Sequence, residues 1–311
     1  MNSLLSHTML HVRSKKTGFL LLGVLVVLAV SQFHYITEAQ VASQSLEVSP
    51  PTQEVSVDPG KTITVKAKLR NNTPKSLPIT AKIEDFTAQG EEGQVALSSN
   101  SKWSVSQWTK ITPSTFSLAG GEEQEVTATI TIPKDAAGGR YGSFVFGVDT
   151  EKAPNSASVS QQIASLFLLR ISGKVDEVVR LDSFSAPRFQ EFGPVPFSLS
   201  FANTGNVHVK PFGLISVTDM FGRKTADIVV KGSNIFPEAT RVITASLHNK
   251  FLIGQYHATA VMYYGESNQS LVGTTSFVVF PVRIVAGIII LLVLFFILRK
   301  RLGRAFKALT R

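Results

Sequence analysis

Residues 62–69 read TITVKAKL. Ile63, Val65, Ala67 and Leu69 fall on one face of this stretch, and Thr62, Thr64, Lys66 and Lys68 on the other. A period of two belongs to a β-strand, and one apolar face opposite a polar one points to an antiparallel sheet buried on one side. Asp58-Pro59-Gly60 before it and Asn71-Asn72-Thr73-Pro74 after it are turn-forming residues. Outward from here, residues 77–86 return as a second strand. Residues 87–100 are rich in Gly, Glu and Ser and read as an exposed loop with a short strand at 95–97. Alternation recurs at 124–132, where Val126, Ala128, Ile130 and Ile132 are interleaved with threonines. Strands at 141–148 and 165–175 complete the first set. Residues 41–51 read as a polar leader and 151–160 as a polar loop.

The second half repeats this plan. Val195, Phe197, Leu199 and Phe201 alternate with Pro196, Ser198, Ser200 and Ala202, and Asn203-Thr204-Gly205-Asn206 then stands where Asn71-Asn72-Thr73 stood before. Strands follow at 212–218 and 241–247, with a turn at 220–224. Gly254-Gln255-Tyr256 leads into an apolar run, as Gly139-Arg140-Tyr141 does. Two copies of about this length, with strands at sandwich spacing, predict an all-β chain of two tandem immunoglobulin-like β-sandwiches. The copies span 44–175 and 176–276, and no helix longer than a turn is expected within them.

Both ends of the chain differ from this middle. Residues 277–298, FVVFPVRIVAGIIILLVLFFIL, contain an uncharged run over 284–298. At about 1.5 Å per residue this is long enough to cross a bilayer core of about 30 Å, so it predicts a C-terminal transmembrane helix. Ile284, Leu291, Phe295 and Leu298 are its membrane-anchoring residues, and Arg299, Lys300 and Arg301 open a basic tail, 299–311, with no acid. The positive-inside rule leaves that tail in the cytoplasm and puts the sandwiches outside a plasma membrane crossed by this helix. Leu302, Phe306 and Leu309 recur at helical spacing among the bases. The tail is therefore either a short helix on anionic lipid or a plain stop-transfer cluster. At the other end, Arg13, Lys15 and Lys16 precede the apolar run 18–30, as in a signal peptide over 1–39 or an uncleaved anchor helix.

The net charge of +9 sits entirely at these two ends and at Arg283, since residues 40–282 hold 21 basic and 21 acidic groups. The basic balance therefore gives no reason to expect nucleic acid as a partner. The chain has no cysteine, which removes disulfides, thiolate metal sites and thiol catalysis.

Several stretches together resemble a known family. The Asn71-Asn72-Thr73 turn after an alternating strand, the tryptophan segment SKWSVSQWTK, the run TITIPKDAAGGRYG and the later LLRISGKV are similar to the DUF916 domain. That domain is the peptidoglycan-binding part of WxL-interacting bacterial surface proteins, which combine a signal peptide, two immunoglobulin-like domains, a membrane span and a basic tail. The resemblance implies an adhesion or cell-surface role, with peptidoglycan or a secreted or surface protein as partner. No ligand-contacting residue carries over from it.

No constellation for catalysis or cofactor binding stands out. His208, His248 and His257 are the only histidines between the two ends, and none has ligand spacing; His257 reads as an exposed strand residue. Glu91-Glu92 and Glu122-Glu123-Glu125 read as solvated turns and not as a calcium site. Not an enzyme, and no cofactor, are the expectations. Trp103 and Trp108 are the binding candidates, either as an aromatic platform for sugar or peptide or as core packing. The function expected is that of a membrane-anchored binding protein of the bacterial surface. The alternative is a structural spacer or accessory subunit of an envelope assembly.

Overall fold

The computed structural model describes residues 46–99, 101–148, 162–249 and 251–309, with side chains through Arg299. The expected signal or anchor segment and the polar loop at 151–160 lie outside the described residues.

Ten strands build the first sandwich. They are β1 (Leu46–Ser49), β2 (Thr52–Val57), β3 (Thr62–Asn71), β4 (Leu77–Gln89), β5 (Gln94–Leu97), β6 (Thr109–Thr112), β7 (Thr115–Leu118), β8 (Glu123–Thr131), β9 (Gly138–Val148) and β10 (Gln162–Ile171). One sheet runs β1-β3-β8-β6. The other runs β2-β10-β9-β4-β5, with β7 also on β4. The alternation read in TITVKAKL is the burial pattern of β3: Val65, Ala67 and Leu69 are buried beside Val126, Ala128 and Ile130 of β8. Facing them are Phe144, Phe146 and Phe167 of the other sheet. The outer face of β3 and β8 carries ion pairs instead, Lys66 with Glu125 at 2.7 Å and Arg70 with Glu123 at 3.5 Å. Both pairs are exposed and contribute little to stability.

The second sandwich has β11 (Val179–Ser185), β12 (Phe189–Gln190), β13 (Val195–Asn203), β14 (Phe212–Asp219), β15 (Lys224–Val230), β16 (Thr240–Leu247), β17 (Gly254–Tyr264) and β18 (Gln269–Val279). Its sheets run β11-β13-β16 and β12-β18-β17-β14-β15. Phe197, Leu199 and Phe201 of β13 pack against Ala258, Ala260 and Met262 of β17.

The internal repeat has a structural counterpart. Asn71, at the end of β3, is fully buried; its amide donates to the carbonyls of Lys75 (2.7 Å) and Leu118 (3.0 Å), and its oxygen accepts the Thr73 N–H (2.9 Å). Asn203, at the end of β13, does the same with Val207 and Ile235 (both 2.8 Å) and with Gly205 N–H (2.9 Å). Each asparagine thus closes its own turn and ties it to a segment distant in sequence through hydrogen bonds shielded from water. In both copies one N-terminal strand pairs antiparallel in one sheet and the next pairs parallel in the other: β1 on β3 then β2 on β10, and β11 on β13 then β12 on β18.

Three expectations are corrected. Residues 46–49 of the expected polar leader are β1, and β2 follows directly after the leader, because a half-buried edge strand needs few apolar side chains. The strand expected at 165–175 runs from Gln162 to Ile171 and gives way at Ser172-Gly173, where Gly173 takes φ +117°. The C-terminal helix begins at Val282 and not at Phe277, since Phe277 and Val279 are the last core residues of β18. The structure adds strands that the alternation does not announce: β6 and β7, of four residues each, and β11, β12, β15 and β18. The helix, α1 (Val282–Leu309), is continuous for 28 residues, so the tail through Leu309 extends it and does not form a separate element. An apolar window, Val282–Arg299, is long enough to span a membrane, and none of it is buried within the protein.

Candidate functional site

The two sandwiches meet end to end, and the chain crosses between them over residues 172–178. The joint is assembled from sequence-distant side chains. Phe86 of β4 and Tyr141 of β9 come from the first sandwich; Phe236, from the turn before β16, comes from the second. Phe236 meets Tyr141 edge-on at 4.9 Å and Phe86 at 5.4 Å between ring centres. Such edge-to-face pairs add to the stabilisation from burial. Val242 N–H also donates to Glu91 C=O at 2.7 Å, and Gly139 N–H to Asn206 C=O at 2.7 Å. A side chain at Gly139 would meet Tyr141 Oη at 2.1 Å, so this backbone approach requires glycine.

Beneath the aromatic cluster lies His208, which is 8% exposed. Its Nδ1 is 3.3 Å from Tyr141 Oη. Burial pushes the histidine pKa down to about 4, against the opposing pull of Glu54, and pushes the tyrosine phenol up. Both groups are therefore neutral near pH 7, and the imidazole tautomer decides which of them donates. Glu54 receives Asn234 Nδ2 at 2.7 Å and Lys210 Nζ. On the far side of the joint Arg170 holds Glu177 at 2.8 Å and Glu266 at 3.0 Å; Arg170 and Glu177 are mostly buried. The geometry fixes one sandwich on the other.

A cleft of about 420 Å³ opens beside the joint, lined among others by Phe86, Lys102, Trp103, Phe236 and Glu238. Lys102 and Glu238 form an ion pair across it. Both tryptophan candidates are half-buried. Trp103 packs on the joint cluster and Trp108 on the first core. The Arg140 guanidinium lies between their rings, 5.9 Å from Trp103 and 5.4 Å from Trp108, and its Nη1 donates to Gly139 C=O at 2.7 Å. The structure thus joins the two candidates through a residue that sequence reasoning did not single out. Burial lowers the Arg140 pKa by taking water from the cation, while the ring faces attract it.

The membrane-anchoring candidates Ile284, Leu291, Phe295 and Leu298 are all exposed on α1. Arg299 lies over the Phe296 ring at 5.1 Å. Lys300 and Arg301 are helical in backbone; their side chains lie outside the described residues. Glu91 accepts the Val242 N–H through its backbone carbonyl, and Glu123 and Glu125 face basic residues across the sheet. Among the described residues no group of three or more acidic, histidine or cysteine side chains could hold a metal. His257 is exposed on β17.

No family model matches the chain, and no curated protein matches it in sequence. Solved structures similar to it include the class 5 fimbriae chaperone CfaA, at 14% identity over 74% of this chain and 98% of that one, with a TM-score of 0.40. The YadV chaperone is 10% identical over 75% of this chain and 100% of its own, at TM-score 0.37. The Pseudomonas aeruginosa CupB2 chaperone is 10% identical over 73% and 98%, at 0.32. Likeness at this distance says nothing about ligands.

Proposed function

We propose that the chain is a non-catalytic, single-pass membrane protein of the bacterial envelope that binds cell-wall peptidoglycan or a surface protein. Its sandwiches stand outside the plasma membrane and its basic tail lies in the cytoplasm. The observation that carries this reading is α1, whose apolar window Val282–Arg299 is not covered among the described residues and which starts three residues after the end of β18. An apolar surface of that size is unstable in water and stable in lipid. The run of bases behind it, against a charge-balanced middle, sets the orientation. The DUF916-like stretches supply the wall-binding part of the reading. The Trp103–Arg140–Trp108 stack offers stiff, partly exposed aromatic surface of the kind found at recognition sites.

The test is co-sedimentation of the full chain, in detergent, with purified peptidoglycan sacculi, alongside cross-linking in intact cells. Retention on sacculi, or a specific surface protein cross-linked to the first sandwich, is the expected result. With neither, the second reading takes over, that of a spacer in an envelope assembly. The closely packed joint favours that alternative, because it fixes the distance and angle between the sandwiches.

A further inference from the structure

The end of the second sandwich from which α1 emerges gathers exposed apolar side chains from several loops. Strand register defines this end. Val279, the last residue of β18, pairs with Gly254, the first of β17. Tyr256 of β17 pairs with Asp219, the last of β14, and Gln190 of β12 pairs with Val279. On the other sheet Leu247 pairs with Val195. Three connections therefore gather around the base of the helix: residues 191–194, residues 220–223, and the connection from β16 to β17, of which 248–249 and 251–253 are described. Each carries a large apolar side chain in solvent. Phe251 is 90% exposed, Phe221 72%, Ile253 69%, Met220 55% and Phe192 40%; Phe280, just before the helix, is also 40% exposed. Two of the loops approach each other, since the Met220 sulfur lies 3.9 Å from where a Gly254 Cβ would sit. Arg283, in the first turn of α1, reaches Glu191 at 3.4 Å.

Exposed apolar side chains scattered singly are ordinary; several gathered from separate loops on one face mark an interaction surface. We infer that this face rests in the interfacial layer of the lipid bilayer, with Phe221, Phe251 and Ile253 inserted among headgroups and upper acyl chains. The inference rests on the membrane-span reading of α1. Val279 and Val282 are three residues apart, at most about 10 Å of chain, so the loops lie close to the bilayer surface once α1 spans it. Aromatic side chains are favoured at that depth. Arg223 is paired with Asp219 and Lys224 with Asp227, so these two bases beside Phe221 already have partners. The consequence is a second point of hold that sets the tilt of both sandwiches, since the joint between them is packed.

The chain lacks cysteine, so single spin labels report depth directly. The full chain is reconstituted in vesicles of phosphatidylcholine and phosphatidylglycerol, with one label each at Phe221→Cys, Phe251→Cys, Leu291→Cys and Ser270→Cys. Ser270 lies at the opposite end of β18, about 30 Å from Val279 at strand rise. Collision with oxygen is compared with collision with a water-soluble nickel chelate. Labels at 221, 251 and 291 are expected to favour oxygen, and the label at 270 the chelate. If 291 favours oxygen while 221 and 251 match 270, the inference fails and the span stands. If 221 and 251 are shielded from both reagents, a protein and not lipid covers the face, which also overturns it. If 291 itself meets the chelate, both readings fall.

Discussion

Mild acid should loosen the joint between the sandwiches through His208. This side chain is buried under Tyr141, with Glu54, Glu177, Arg170 and Lys210 as its charged surroundings, and burial holds its pKa at about 4. The unfolded value is about 6.5. Because the folded value is the lower one, the unfolded chain takes up the proton first as pH falls. The stabilisation from neutral His208 is complete above about pH 6.5, declines between about 6.5 and 4, and changes no further below that. A gap of about 2.5 units corresponds to roughly 3 kcal/mol over the whole window, and to about 2 kcal/mol by pH 5. In a two-domain protein of this size that is a fall of about 4–8 °C in melting temperature. Calorimetry of the full chain in detergent at pH 7.5 and pH 5.0 reads it. Glu54, whose carboxyl is held below the usual range, also loses stabilisation in acid, and titrates lower. The His208→Gln variant isolates the histidine: its melting temperature should fall by clearly less between the two pH values. Equal pH slopes for wild type and variant would refute the reasoning.

Phe236→Ala empties the aromatic joint and should cost about 3 kcal/mol, toward the low end for such a truncation because a cleft already opens beside the ring. It should split a coupled calorimetric profile into two transitions, and an unchanged profile counts against the joint as drawn. Asn203→Ala removes the hydrogen bonds to the Val207 and Ile235 carbonyls, of which Ile235 keeps the Val209 N–H, and Asn71→Ala removes those to Leu118 and Lys75, of which Lys75 keeps the Thr73 hydroxyl. Each should cost about 2–4 kcal/mol in denaturant unfolding, in its own sandwich, and less than 1 kcal/mol for either would show that the two turns are not equivalent. Gly205→Ala would bring a Cβ to 2.2 Å from the Asp176 carbonyl, so the crossing between sandwiches must shift; limited proteolysis at 172–178 should speed up, and an unchanged rate would contradict the contact.

The strands that could be read are those with one dry face. β3, β8 and β13 bury every second side chain against the opposite sheet, and their sequences alternate accordingly. β1 and β2 could not be read in this way. Glu47, Ser49, Thr52 and Glu54 are compatible with a leader, and only pairing with β3 and β10 makes them strands. The helix start was displaced by five residues because Phe277 and Val279 satisfy a buried strand as well as a lipid helix. The repeated asparagine turn was visible as spelling, but its hydrogen bonds to Leu118 and Ile235 depend on chain tens of residues away. The joint was not legible at all. Tyr141, His208 and Phe236 have no local pattern in common, and only the end-to-end docking of the sandwiches brings them together. Trp103 and Trp108 were recognised as notable, but the Arg140 side chain between them follows from the third dimension.

The central claim is that α1 crosses the membrane with the sandwiches outside. The most direct test is protease added to intact cells carrying an epitope after Arg311. The account predicts that the sandwiches are digested while a small fragment holding α1 and the epitope survives until the membrane is opened. Loss of the epitope from unbroken cells, with the sandwiches intact, would contradict it.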